Sequence, residues 1–268
     1  MAFITFVRIA GTTSAPATSR YAATQSKHRA LLLNSACPQF PDGLANGSGL
    51  VGTHLTTHAG PGVWATFDEA IRCYKGPPNM AVTEHWNYVD EGKDFHGGYA
   101  FMSQGPLPRA WAQLVVTSRG LWGEALGDEM RKYNHTAGLV PVAESEPRPE
   151  NRVELADDVD QFGLPVARVT FSYSDNDRRL QRHATAFMSQ MLEAAGGRDL
   201  WQSDDTSHVL GTCRMGADPA TGVVDANGRS FDIRNLWICD GSVFPTCGGV
   251  NRSMSRRRPA NRSGSSST

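Results

Sequence analysis

Residues 152–197 read RVELADDVDQFGLPVARVTFSYSDNDRRLQRHATAFMSQMLEAAGG, and this stretch decides the fold class. Arg152-Val-Glu-Leu-Ala156 alternates as a half-buried strand does. Val166 to Ser172 repeats the pattern, with Ala167, Val169 and Phe171 on one face. Phe162-Gly163-Leu164-Pro165 supplies the turn between them. Ser174 followed by Asp177 resembles a capping box. It opens a helix over about Asp175–Ala195, with Leu180, Ala184, Phe187, Met188, Met191 and Leu192 on one stripe and Gly196-Gly197 as the stop. Paired strands backed by a helix predict an α+β layer.

Around this stretch the chain reads as loop-rich and globular. It has 268 residues, 40% of them hydrophobic and 20% charged, with 27 glycines and 15 prolines, which excludes collagen, coiled coil and wholesale disorder. No apolar run reaches the ~18 residues of a membrane span. The net charge of −1 gives no overall bias toward nucleic acid or anionic lipid, yet it hides an asymmetry. Residues 1–41 and 252–268 hold nine basic side chains and no acid, whereas 42–251 hold 17 basic and 27 acidic ones. The head, 1–29, reads as a disordered or artefactual leader and the Arg/Ser-rich tail, 252–268, as disordered. Cys37, Cys73, Cys213, Cys239 and Cys247 are odd in number and lack CxxC spacing, so they read as free thiols, which favours the cytoplasm.

Between the ends, ordered chain begins at Ala30-Leu-Leu-Leu-Asn34 and passes through turns at Pro41-Asp42-Gly43 and Asn46-Gly47. From Ile71 to Gln113 aromatic residues are spaced for strands and short loops. Asn227-Gly228 signals a tight hairpin, and Leu236 to Cys239 reads as a short buried strand ending at Asp240-Gly241. The segments around Leu236 and Leu31–Leu33 are expected to leave an apolar patch exposed.

One motif is rejected on physical grounds. Gly47-Ser-Gly49-Leu-Val-Gly52 matches the dinucleotide fingerprint, which needs a preceding strand and a following helix so that helix amides meet the pyrophosphate. Here a turn precedes the glycines and Thr53-His-Leu-Thr-Thr-His58, a poor helix former, follows. His54 and His58, four apart, have neither the helical context nor the acid of a metal site and read as surface histidines; no metal is expected.

The chemistry sits nearer the C-terminus. Ser207-His208-Val-Leu-Gly211-Thr212-Cys213-Arg214-Met215-Gly216 places a histidine before a glycine turn. Asp240-Gly241-Ser242-Val-Phe-Pro245-Thr246 and Gly248-Gly249-Val250-Asn251 follow. A neutral imidazole and a carboxamide can share one small polar group of a substrate, and Gly241 permits close backbone approach to a flat ligand.

This pattern resembles the C-terminal signature of the glucose–methanol–choline (GMC) family of FAD-dependent alcohol oxidoreductases. His-x-x-Gly-Thr-x-x-Met-Gly matches at 208–216 and Asp-Gly-Ser-x-x-Pro-Thr-x-x-Gly-x-Asn at 240–251. Leu31–Ser35, Pro41–Asn46 and Gly49–Gly52 are similar to the family's passage out of the flavin domain, and the likeness covers roughly 30–251. The resemblance implies an antiparallel-sheet substrate domain with helices, joined to the C-terminal remnant of an α/β FAD-binding domain. It implies the divisions 30–70 (flavin-domain connection), 71–200 (substrate domain) and 201–251 (flavin and active-site segment). His208 would be the base that takes an alcohol proton, Asn251 would hydrogen-bond the same oxygen, and hydride would pass to the flavin N5. Asp240, Gly241, Gly249 and Val250 would contact the cofactor, FAD, which carries the redox chemistry. The partners implied are a small alcohol, sugar or polyol and a missing FAD-binding segment, with no nucleic acid and no membrane span. Two departures stand out: no true dinucleotide unit, and Arg252-Ser-Met-Ser-Arg in place of the family's Pro and apolar helix. They leave open a truncated fragment unable to bind FAD alone, or a subunit completed by another chain.

Overall fold

The computed structural model describes residues 27–77, 79, 81–87, 92–203 and 206–249. The leader and the basic tail lie outside these residues, as do Val250 and Asn251. The elements are α1 (Lys27–Asn34), β1 (Thr56–Ala59), β2 (Gly62–Thr66), β3 (Val82–Trp86), β4 (Tyr99–Gln104), α2 (Pro108–Arg119), α3 (Gly123–Arg131), β5 (Thr136–Ala143), β6 (Arg152–Val159), β7 (Pro165–Thr170), α4 (Asp175–Ala194), β8 (Arg198–Ser203) and β9 (Thr206–Leu210). The fold is α+β, with every pairing of these strands antiparallel.

β5 is the shared strand of a seven-stranded sheet. One side carries β4 and then β3. On the other side two short strands divide its length, β1 at Ala143 and β2 from Leu139 to Thr136. The break falls at Gly60-Pro61. Gly60 has φ 136°, and a Cβ there would sit 2.7 Å from the Pro141 ring, so both the conformation and the close approach require glycine. Beyond β1 lies β9, and beyond β2 lies β8. Thus residues near 58 and residues near 208 become neighbours.

Helices cover both faces. α4 lays Leu180, Ala184, Met188 and Leu192 against Val63, Ala65, Tyr99, Phe101 and Ala143 in one buried cluster. The four helical residues are four apart, the spacing that keeps one row of a helix facing its partner. Phe187 packs at the margin of this cluster, and Met191, read from sequence as part of the stripe, is 42% exposed. The capping box is complete: Asp177 N donates to Ser174 Oγ and Ser174 N to Asp177 Oδ2, both at 3.0 Å. On the opposite face Trp64, Trp111, Val115, Tyr133 and Val140 form a second cluster under α2 and α3.

The hairpin of β6 and β7 pairs Arg152 with Thr170 through Leu155 with Ala167. Its apolar face, with Val153, Ala167, Val169 and Phe171, packs on Leu55 and Val209. A further cluster joins Ala45, Val51, Cys213, Val223, Val224 and Val243, with Leu32, Leu33, Leu236 and Ile238 against it. Apart from Leu32 and Leu33 of α1, it is built of turns and isolated bridges. The expected buried strand at 236–239 is corrected here. Only Trp237 bridges, to Arg229, with Trp237 54% exposed and Cys239 exposed, because its apolar side chains pack on this cluster instead of extending a sheet. The expected apolar patch shrinks to Leu31 and Trp237, the other large residues of both segments being absorbed. At Asn227-Gly228 the hairpin forms, with Asp225 N donating to the Arg229 carbonyl at 2.8 Å.

Candidate active site

The site starts from an irregularity between β1 and β9. Thr56 pairs with Leu210 and His58 with Ser207, so one extra residue lies on β9 within the interval. His208 sits in this bulge with φ 54°, a left-handed conformation that histidine tolerates better than most residues. The bulge places His208 next to Ser207, the residue that pairs with His58, so the two histidines stay adjacent across β1 and β9. The two imidazoles meet edge to face, centroids 5.0 Å apart at 87°, with Nδ1 to Nδ1 at 2.8 Å.

The turn after β9 is held as tightly. Gly211 has φ 76°, and a Cβ there would fall on the His54 carbonyl. Gly211 N, Cys213 N and Met215 N donate in turn to the carbonyls of Gly241, Ser242 and Val243 at 2.8–3.1 Å. Asp240 caps the short 3-10 turn Gly241–Val243, its Oδ1 accepting from the Ser242 amide at 2.8 Å and from the Ser242 hydroxyl. The backbone at 241–243 is buried, so the two sequence motifs at 208–216 and 240–246 form one zipped unit.

A third segment closes the site. His58 Nε2 lies 2.8 Å from the Gly248 carbonyl oxygen and 3.0 Å from that of Cys247. Ser145, just after β5, takes the Thr57 amide on its hydroxyl at 3.0 Å and returns a bond to the Thr57 carbonyl at 2.8 Å. Ser145 N donates to Cys247 Sγ at 3.0 Å, and Gly249 N to Glu144 Oε1 at 3.0 Å. Burial pushes the Cys247 thiol up to about 12, so it stays protonated and serves as packing.

Of the residues singled out from sequence, His208, Asp240, Gly241 and Gly249 are described. His208 lies beside the Asp240–Gly241 turn through Gly211, and it reaches the Gly248–Gly249 segment through His58. Asp240 and Gly249 direct their polar groups at Ser242 and Glu144 of the chain itself. Asn251 and Val250 lie outside the described residues. His58 is a correction: it is 1% exposed, not a surface residue. It tolerates burial because both ring nitrogens have partners. The sequence signal for it was weak, since its partners lie about 150 and 190 positions away. Glu144, Ser145 and Cys247 went unread for the same reason.

Beside the closing segment runs a cleft of about 510 Å³ lined by His96, Glu144, Glu146, Arg148, Asp177 and Thr246 among others. A hydrogen bond from Ser174 is the main cause holding the Glu146 carboxyl below the ordinary range, with paired His96 adding to it. Burial lifts Asp177 above its ordinary range despite amide bonds from Ser174 and Glu146. Among the described residues no group of His, Cys, Asp and Glu could hold a metal ion, and no helix is long and apolar enough to cross a membrane. Gly47, Gly49 and Gly52 lie in turns with neither strand before nor helix after. Gly52 (φ 91°) is needed where a side chain would strike the Val153 carbonyl.

Residues 147–255 match the family model described as GMC oxidoreductase. The chain is 30% identical over 238 residues to 6'''-hydroxyparomomycin C oxidase of Streptomyces lividus, covering 84% of this chain and 40% of that protein. It is 29% identical over 232 residues to the fructose dehydrogenase large subunit of Gluconobacter japonicus (84% and 42%). To 2-methyl-1,2-propanediol dehydrogenase of Mycolicibacterium austroafricanum it is 30% identical over 240 residues (82% and 42%). The chain thus spans about two fifths of these relatives. Among solved structures, pyridoxine 4-oxidase from Mesorbium loti overlays on 82% of the chain and 45% of its own, with a TM-score of 0.46 and 16% identity.

Proposed function

We propose, from the match of residues 147–255 to the GMC oxidoreductase family model, that the chain forms the acid–base and substrate-facing part of an FAD-dependent oxidoreductase acting on CH–OH groups. The observation that carries the reading is the placement of the family-matched His208 in a bulge beside the zipped 211–215 and 241–243 segments. His208 accepts the hydroxyl proton of the alcohol, work for which imidazole is suited near neutral pH. Asn251 donates to the same oxygen, steadying the developing alkoxide. When bound, the flavin supplies the acceptor for the hydride that leaves the carbinol carbon, and a carbonyl product results.

The reading of the ring end is supported by Gly211, three residues from His208, which is bonded backbone to backbone to Gly241 at 3.1 Å and so ties the turn matched to the flavin site to the histidine. Asp240, Gly241, Gly249 and Val250 are the residues we assign to holding it. For the adenosine end the described residues offer no strand–glycine–helix unit, since Gly47–Gly52 lie in turns. This favours a second reading in which the dinucleotide unit comes from another segment or another chain. Carboxylates line the neighbouring cleft, and a carboxylate is an acceptor suited to hydroxyl groups, which supports a sugar or polyol as the substrate.

The test is reconstitution of the full chain with FAD, followed by oxidation of a panel of sugars, polyols and simple alcohols with an artificial electron acceptor. Turnover that falls about 10²–10⁴-fold in His208→Ala is expected. Equal turnover by wild type and variant would refute His208 as the base. Flavin retained only with an added dinucleotide-binding unit would support the second reading.

A further inference from the structure

Cys247 and Gly248 present carbonyl oxygens, which only accept hydrogen bonds. His58 Nε2, 3.0 and 2.8 Å from them, therefore carries a proton. In a neutral ring the other nitrogen, Nδ1, then holds a lone pair and accepts. The atom facing it at 2.8 Å is His208 Nδ1, so the single proton between the rings belongs to His208. A neutral His208 protonated at Nδ1 has its basic lone pair at Nε2. The opposite arrangement sets an unprotonated Nε2 of His58 against two carbonyl oxygens, or makes His58 a cation at 1% exposure, and both are costly.

We infer that His58 is a positioning residue that fixes His208 in the Nδ1–H tautomer, making Nε2 the nitrogen that takes up a proton. The purpose of this device rests on the reading of His208 as base; the tautomer itself does not. The backbone explains why the device is rigid. His58 lies in β1, where Thr57 is doubly hydrogen-bonded to Ser145, and His208 lies in the bulge of β9 across from it with its Nδ1 2.8 Å from that of His58. When Nε2 accepts a proton, the Nδ1–H bond to His58 persists and becomes charge-assisted. No second proton fits between two nitrogens 2.8 Å apart. A neutral imidazole thus performs the orienting task that a carboxylate performs in other acid–base pairs, without burying an ionised group.

The test is the 15N spectrum of the full chain labelled at histidine, without flavin. Long-range 1H–15N correlations assign each ring nitrogen as pyrrole- or pyridine-type, with His208→Gln and His58→Asn identifying the signals. Expected in wild type are pyrrole-type Nε2 and pyridine-type Nδ1 for His58, the reverse for His208, and a 15N–15N coupling across the Nδ1–Nδ1 hydrogen bond. In His58→Ala the Nδ1–H to Nε2–H ratio of His208 falls by about tenfold, the scale of one hydrogen bond of ordinary net strength, and His58→Asn, which keeps an acceptor oxygen, restores it. An Nε2–H tautomer at wild-type His208, or an Nδ1–H tautomer that survives His58→Ala unchanged, overturns the inference. If His58→Ala fails to fold, the wild-type pattern and its coupling decide alone. The expected spectrum in a chain that oxidises no alcohol would instead count against the proposed function.

Discussion

Gly138→Ala offers the sharpest test of the packing. Gly138 pairs with Trp64 across β5 and β2, and its backbone φ lies outside the left-handed region, so alanine meets no conformational strain. Taken alone, replacing a strand glycine by alanine stabilises by about 0.5–1 kcal/mol. The new Cβ, however, would stand 2.8 Å from Trp64 Cζ3 and nearer still to Cε3. The indole cannot retreat: Trp111 lies 4.8 Å and Trp201 6.0 Å away by ring centroids, and Trp64 Nε1 is bonded to Ser203 Oγ at 3.0 Å. Overpacking costs about 1–3 kcal/mol and a displaced indole loses a hydrogen bond of about 1 kcal/mol. The steric term wins, leaving a net loss near 2 kcal/mol, or roughly 4–8 °C in Tm for a chain of this size. Thermal melts followed by circular dichroism and tryptophan emission read it directly. In a Trp64→Leu background the same substitution should cost nothing or stabilise slightly. A Gly138→Ala chain that melts at or above wild type would refute the argument.

Leu180→Ala empties a fully buried position and should cost about 3–5 kcal/mol, whereas Met191→Ala at a largely exposed one should cost under ~0.5, both read by denaturant titration. Ser174→Ala removes the helix cap, a loss of about 1 kcal/mol. Because Ser174 also holds the Glu146 carboxyl below its ordinary range, stability present above the unfolded pKa is lost as pH falls, so wild type and variant should converge in acid. Native protein should react with thiol reagents at exposed Cys37 and Cys239 but not at Cys247, with mass spectrometry as the readout. Cys247 keeps its proton to about 12 in the fold but releases it near 9 when unfolded. Its contribution is complete below 9 and lost as pH rises toward 12, so stability curves should decline in alkali.

The β6–β7 hairpin and α4 were legible in the sequence because their signals are local: two-residue alternation, a cap three residues from its partner, a four-residue stripe. His208, Asp240 and Gly241 were read as motif positions, and the zipped backbone shows that their two motifs lie side by side. His58 was not, since its role arises from a bulge and from carbonyls some 190 positions away, neither of which leaves a local pattern. Leu236–Cys239 misled because an apolar run states that side chains are covered, not what covers them. Gly52 misled less: the missing flanking strand and helix disqualified the fingerprint, and a neighbouring hairpin carbonyl accounts for the glycine.

The histidine pair draws on four stretches of chain, near 58, 145, 208 and 248, that meet only once β5 has gathered its neighbours on both sides. Such closure across long separations is slow and late in folding, because loop entropy is lost before the contacts form. Collapsed intermediates holding the hairpin and α4 would possess regular structure and no histidine of defined tautomer. The inferred tautomer is therefore a property of the finished topology, and the spectral signature of His208 doubles as a report on whether the chain has arrived there.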